Sequence, residues 1–260
     1  MSQLFKKVLV ANRGEIAMRV FRACHDLDIQ TVAIYSKEDT YSVFRTAADE
    51  SYLIGENLSP LGAYLDIPRI IEIAKRHGAD AIHPGYGFLS ENGDFARACE
   101  EAGIKFIGPS AKVLDLMGDK LSAKQIAIEC GVPTTPGTAE PLKSREEAQK
   151  LAQEFGFPVI LKAAAGGGGR GIRIVKERAE FRGAFLAASS EAESAFGDGA
   201  CYLEKYLRPV KHIEMQVLCD NYGGVVCLGE RECSVQRKNQ KLIEESPSPA
   251  ISAETRAAMT

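Results

Sequence analysis

Tryptophan is absent from these 260 residues, and aromatic residues make up only 7%. Stacking platforms for single-stranded nucleic acid need rings in number, so that partner is not expected. Charge of one sign is lacking too: 32 Lys and Arg stand against 35 Asp and Glu, for a net charge of −3. With no basic stripe, neither nucleic acid nor an anionic membrane is implied. Long hydrophobic runs are missing. The stretch from Val8 to Ala11 is far shorter than a signal-peptide core or a membrane span. The seven cysteines are odd in number, scattered, and contain no Cys-x-x-Cys. That usage fits reduced thiols in the cytosol, or in an organelle matrix after removal of an import sequence. It gives no zinc framework and makes packing the reading for most of the thiols, with a catalytic thiol as the alternative.

What remains is an ordinary soluble composition, with 45% hydrophobic and 26% charged residues over a length that suits one large domain or two. The first part alternates strand-like and helix-like segments. Lys7 to Asn12 and Thr31 to Tyr35 read as strands, and Ile16, Val20, Phe21 and Cys24 mark one face of a helix between them. Ile67 to Arg76 reads as a helix with Gly78 beyond its end, and Ala81-Ile82 as a strand running into the turn His83-Pro84-Gly85-Tyr86-Gly87. Phe95 to Ala102 then gives a helix and Ile104 to Ile107 a strand. This rhythm with short connections predicts a parallel sheet covered by helices.

Val113 to Cys130 reads mostly as helix, and the proline-rich stretch Pro133 to Pro141 as a domain boundary. Ser144 and Glu147 form a capping-box pattern for a helix to Phe155. Pro158 to Lys162 and Ile172 to Val175 read as paired strands, Phe181 to Phe196 as a helix, and Cys201 to Leu207 as a strand. His212 to Cys219 and Val225 to Leu228 follow as strands around a turn at Asp220 to Gly224. Ser252 caps a helix of which about two turns are present, which predicts a chain cut inside a domain.

Three segments could carry chemistry. Gly166, Gly167, Gly168 and Gly169 run consecutively into Arg170-Gly171, four residues after Lys162. Such a run loses much conformational freedom on ordering and suits close backbone approach to a ligand; with a lysine beside it, it reads as a polyphosphate cradle. A surface hairpin is the other reading. Walker A is excluded because the lysine precedes the glycines, and the dinucleotide fingerprint because Asn12-Arg13-Gly14-Glu15 lacks its spacing. In the second segment, Ile213, Met215 and Val217 alternate with His212, Glu214 and Gln216, which predicts one face in a core and one polar face; a solvated sheet alternates in the same way. The third is Gln236 to Lys241, a basic hexad that is either a solvated face or an anion holder through Arg237 or Lys241. Lys120 is similarly open.

The order lysine, glycine loop, Glu204-Lys205-Tyr206-Leu207 and His212-x-Glu214 resembles the ATP-grasp arrangement. More narrowly, Val10-Ala-Asn-Arg-Gly-Glu-Ile-Ala17, His83-Pro-Gly-Tyr-Gly-Phe-Leu-Ser-Glu-Asn92, Met117-Gly-Asp-Lys120 and Cys233-Ser-Val-Gln-Arg237 resemble the biotin carboxylase module of biotin-dependent carboxylases. Ala33-Ile-Tyr-Ser36 and Ala48 to Gly55 are most similar to the pyruvate carboxylase branch; acyl-CoA carboxylases share the module.

The resemblance implies an α/β fold: a Rossmann-like pre-ATP-grasp domain over 1–115, then an incomplete α+β ATP-grasp domain over 116–260, with a lid over about 134–203. It implies that Lys120 and Lys162 contact ATP phosphates under the glycine loop, that Glu204, Lys205 and Leu207 frame adenine, and that His212 lies at the ribose. Lys241 would hold bicarbonate with Gln236 nearby, and Asn239 stands where many relatives have a nucleotide-contacting His. Implied companions are Mg2+ with ligands beyond Thr260, biotin on a carrier domain, a carboxyltransferase, and a homo-oligomer when complete. The expectation for the 260 residues alone is inactivity. Another ATP-grasp ligase, such as a carbamoyl-phosphate or purine-pathway enzyme, and a non-catalytic nucleotide-binding module are the alternatives.

Overall fold

The computed structural model describes residues 5–118, 120–138, 140–142, 144–163, 172–237 and 240–260, with backbone alone at 120, 121, 195 and 196. It divides into two compact units, Met1–Thr134 and Thr135–Thr260.

The first unit opens with β1 (Lys7–Val10), α1 (Gly14–His25), β2 (Gln30–Tyr35), α2 (Val43–Ala47) and β3 (Glu50–Leu53). It continues with α3 (Pro60–Tyr64), α4 (Ile67–Arg76), β4 (Ala81–His83), α5 (Gly93–Glu101), β5 (Lys105–Phe106), α6 (Ala111–Gly118) and α7 (Lys120–Glu129). The strands form one all-parallel sheet in the order β3-β2-β1-β4-β5. Leu9, Val32, Ile34 and Ile82 bury one face with Ile70, Ile73 and Phe95, while Val8, Val10 and Ala33 bury the other with Ala17, Val20 and Phe21 of α1. A sheet covered on both faces explains why its strands are continuously apolar.

Local signals set several ends. Asp66 and Asn92 accept hydrogen bonds from the backbone N–H groups of Arg69 and Phe95, capping α4 and α5. The expected helical stretch over Val113 to Cys130 is found as α6 and α7 on either side of residue 119, which lies outside the described residues. At the carboxyl ends of β1 and β4, Asn12 Nδ2 donates to the carbonyls of Pro84 (2.7 Å) and Tyr86 (2.8 Å). Gly85 has φ +65, and a Cβ there would stand 2.6 Å from Asn12 Nδ2, so only glycine lets the two turns approach. Beside them Asp39, almost fully buried, accepts from Arg13, Ser42 and Tyr64.

The second unit holds α8 (Arg145–Phe155), β6 (Val159–Ala163), β7 (Ile172–Val175), α9 (Arg178–Phe196), β8 (Cys201–Lys205), β9 (Ile213–Cys219), β10 (Val225–Arg237), β11 (Gln240–Glu245) and α10 (Ala253–Met259). Its strands form two antiparallel sheets, β7-β6-β8 and β11-β10-β9. Val159, Leu161, Cys201 and Leu203 pack with Ala148 and Ala152 of α8 and Phe181 and Ala188 of α9. The expected caps at Ser144 and Ser252 form, each side chain accepting a backbone N–H at 3.1 Å. Two expectations for the second sheet need correction. β10 runs on to Arg237 instead of stopping at Leu228, because it pairs with β11 at one end and β9 at the other. Ile213, Met215 and Val217 do not enter a core: the first two are half-buried and Val217 is 50% exposed, because no helix packs there among the described residues. Here α10 docks through Arg256, whose Nε and Nη2 donate to Glu230 Oε1 at 2.8 and 2.6 Å.

Candidate functional site

The sheet β7-β6-β8 has one face against α8 and α9, which leaves the alternate residues on the other. Lys162 is paired with Tyr202 and Ile172, and Ile160 with Glu204 and Ile174. Residues directly opposite in an antiparallel pair share a face, so these six belong to the open side. Lys162 Nζ reaches Glu204 Oε2 at 2.5 Å and lies 5.8 Å from the centre of the Tyr202 ring. The result is a floor of Ile160, Ile172 and Ile174 beside an ammonium and a carboxylate.

Of the residues singled out from sequence, Lys162 and Glu204 therefore come together. Lys205 goes the other way: its ammonium donates to the carbonyls of Gly156 (2.8 Å) and Phe157 (3.2 Å), at the turn into β6. Leu207 follows β8 and is 47% exposed. Lys120 lies in α7 of the first unit, and its side chain is outside the described residues, as are Gly166, Gly167, Gly168, Gly169 and Asn239 entirely.

A second constellation forms on β9, β10 and β11. Glu214 lies opposite Arg231, and Gln236 opposite Lys241. Lys241 Nζ donates to Glu214 Oε2 at 2.6 Å, and Arg231 Nε donates to Glu214 Oε1 at 2.8 Å. Gln236 Nε2 lies 2.6 Å from His212 Nδ1, and His212 Nε2 is 3.8 Å from Glu214 Oε2. His212 stands just before β9, with its backbone N–H held by Ser234 Oγ. Burial works against the Glu214 carboxylate, but hydrogen bonds from Lys241 and Arg231 outweigh it and bring its pKa down to about 2. The same bond holds the Lys241 ammonium charged by raising its pKa. Cys233, fully buried beside them, has its thiol pushed up by burial, which disfavours a thiolate nucleophile.

Glu214, Cys233 and Glu244 bring potential ligand atoms within 4.8 Å of one another. The set does not fit Mg2+, which takes an octahedron of oxygens: one member is a thiol, and both Glu214 oxygens already hold cationic side chains. Sequence reasoning missed Ile160, Ile172, Tyr202 and Arg231. For Ile160 the signal was present, two residues before Lys162 on an alternating strand; for Arg231 there was none.

Two family models match the chain: the N-terminal domain of biotin carboxylase over residues 4–114, and the ATP-binding domain of the carbamoyl-phosphate synthase L chain over residues 119–260. The mitochondrial pyruvate carboxylase of Mus musculus is 54% identical over 255 residues, which is 98% of this chain and 22% of that protein. The chain belongs to the biotin carboxylase family. Pyruvate carboxylase of Staphylococcus aureus is 56% identical over 247 residues, 95% of this chain and 22% of the relative. The chain thus spans about a fifth of the length of these curated relatives. Among solved structures, the biotin carboxylase domain dimer of the 2-oxoglutarate carboxylase of Hydrogenobacter thermophilus, in complex with MgADP, ADP and bicarbonate, matches with TM-score 0.86 and 56% identity, covering 98% of this chain and 56% of that one. Biotin carboxylase of Campylobacter jejuni, as a β,γ-ATP complex, matches with TM-score 0.88 and 48% identity, covering 99% and 58%. The membership places the chain with the ATP-grasp ligases, and no helix among the described residues is long and apolar enough to cross a membrane.

Proposed function

We propose that this chain supplies nucleotide and bicarbonate groups for ATP-dependent carboxylation of biotin, the first half-reaction of a pyruvate carboxylase. The observation that carries the reading is the position of Lys162, on an open sheet face between an apolar floor and Glu204. A purine needs apolar surface and a few fixed polar groups, and its phosphates need a cation at one end. Ile160, Ile172 and Tyr202 with Glu204 and Leu207 suit the base; Lys162 suits the phosphates, together with Lys120 and the glycines at 166–169. Lys205 contributes through the backbone of β8, since its side chain is engaged with the turn at Gly156. His212 and Asn239 belong to the ribose and nucleotide side.

Lys241 is the proposed bicarbonate holder, with Gln236 beside it. A bicarbonate oxygen attacks the γ-phosphorus, the bond to the β-phosphate oxygen breaks, and ADP leaves. Carboxyphosphate then yields CO2 and phosphate, the phosphate takes the proton of a biotin ureido N–H, and that nitrogen forms its new bond to the CO2 carbon. Lys162 draws charge off the transferring phosphoryl group, and Lys241 keeps the anion in line. Mg2+ supplies electrostatic stabilisation in such transfers, and none of the steps assigned here to side chains runs through it. A biotinylated carrier, a carboxyltransferase and a second copy of the chain are the proposed partners, in the cytoplasm. We take 1–115 and 116–260 as the functional domains.

The test is phosphate release by the intact protein with MgATP and biotin, with and without bicarbonate. Release that depends on bicarbonate supports the reading, and release that ignores bicarbonate and biotin ends it. Oxaloacetate formed on adding pyruvate, and not on adding acyl-CoA esters, decides the acceptor.

A further inference from the structure

The proposed chemistry leaves Arg231 without a role, yet its guanidinium meets Glu214, Gln216 and Glu244. Its Nε and Nη2 both lie 2.8 Å from Glu214 Oε1, and its Nη1 donates to Gln216 Oε1 at 2.9 Å. Glu244 Oε2 stands 3.8 Å from its Nε. Glu214 gives its other oxygen to Lys241, and His212 Nε2 approaches that same oxygen.

A lysine ammonium on four rotatable bonds goes where its partner holds it. Lys241 takes its place from Glu214 Oε2. The Glu214 side chain is itself partly exposed, and what turns its carboxylate is the guanidinium on the other oxygen. Two donors of one rigid guanidinium converge on Glu214 Oε1, and Gln216 Oε1 holds its third nitrogen, so Glu214 Oε1 is pinned in place and Oε2 can only lie on the Lys241 side. The chain of dependence runs from Arg231 through Glu214 to Lys241. Glu230 and Glu232, the neighbours of Arg231 on β10, face the other side of the strand, where they bond Arg256 and Ser248. Arg231 therefore serves this face alone.

We infer that Arg231 is a positioning residue for bicarbonate: by holding Glu214 Oε1 it keeps Oε2, and with it the Lys241 ammonium, at one point beside His212 and Gln236. The inference rests on the reading that Lys241 takes bicarbonate. It requires no contact between Arg231 and the anion.

The experiment measures KM for bicarbonate and for MgATP separately in the intact protein. Arg231→Ala is expected to raise the bicarbonate KM about tenfold, the order of one charge-assisted contact, and to leave the MgATP KM within about twofold. Arg231→Gln, which keeps a donor for Glu214 without the fork, should show the same split at smaller size, and it stands in if the alanine variant does not fold. In a Lys241→Ala background, Arg231→Ala should add nothing to the bicarbonate KM, because it acts through the missing ammonium. Equal rises in both KM values, no rise in either, or additive effects in the double variant would overturn the inference. If Lys241→Ala itself leaves the bicarbonate KM unchanged, the Lys241 reading falls first. If Lys241→Ala raises it and Arg231→Ala does not, the inference alone falls.

Discussion

Lys162 Nζ and Glu204 Oε2 stand 2.5 Å apart, on the face of the sheet β7-β6-β8 turned away from α8 and α9. The two residues sit diagonally across paired strands, so the bond spans the floor rather than its rim. A phosphate arriving there competes with Glu204 for the ammonium. The pair is partly exposed, and such pairs stabilise a fold by only about 1 kcal/mol or less.

From that follows a separation of effects in Lys162→Ala. Stability of the second unit should change by no more than about 1 kcal/mol, while ATP affinity of the intact protein should fall about tenfold or more. Calorimetric titration with ATP beside a urea unfolding curve measures both. An unchanged dissociation constant would remove Lys162 from the nucleotide site.

Asp39 gives a prediction in pH. Hydrogen bonds from Arg13, with help from Tyr64 and Ser42 and against burial, hold its carboxyl down at about 2, from the ordinary 3.8. A carboxyl lowered on folding contributes stability that is present above its unfolded value and lost as pH falls through the folded one. The window is therefore about pH 4 down to about pH 2, and a fall of that size corresponds to about 2 kcal/mol. Asp39→Asn should cost about that much or more at pH 7, and the gap to the parent protein should narrow by about 1 kcal/mol at pH 3. Urea midpoints at the two pH values decide it; a gap that stays constant would refute the assignment.

The third prediction concerns cores. Phe181 is fully buried among residues of the second unit alone. Phe181→Ala should cost about 3–5 kcal/mol through lost burial and the cavity left behind. Hydrogen exchange should then lose protection in α8, α9 and β6 to β8 and keep it in β1, β2 and β4. Equal loss in both sets of strands would contradict separate cores.

How far the sequence could be read shows in particular elements. α4 was read within its observed bounds: an apolar repeat from Ile70 to Ala74 fills its inner face and Gly78 takes the left-handed turn after it at φ +67, while the Asp66 cap at its start was seen only in the structure. All of those signals lie within a few residues of the helix. β9 was legible as a strand but not in its burial, because alternation states that two faces differ and not what covers them. The start of β11 was read as the end of a basic hexad, and it belongs to a strand that completes a sheet. Arg231 carried no signal at all, since its partners Glu214 and Gln216 come from a strand 15 to 17 residues earlier.

Local order alone determined where most helices and strands lie, which ends are capped, and that a lysine precedes a run of glycines. These depend on backbone geometry and on hydrogen bonds that close within a turn or two. The tertiary structure decided that Lys162 faces Glu204 across a sheet, that Lys205 turns away to Gly156, and that Glu214 is shared between Lys241 and Arg231. Those pairings depend on strand register, which in β7-β6-β8 goes with the face that α8 and α9 bury, and in β9-β10-β11 with the pairing of β10 to a strand on each side.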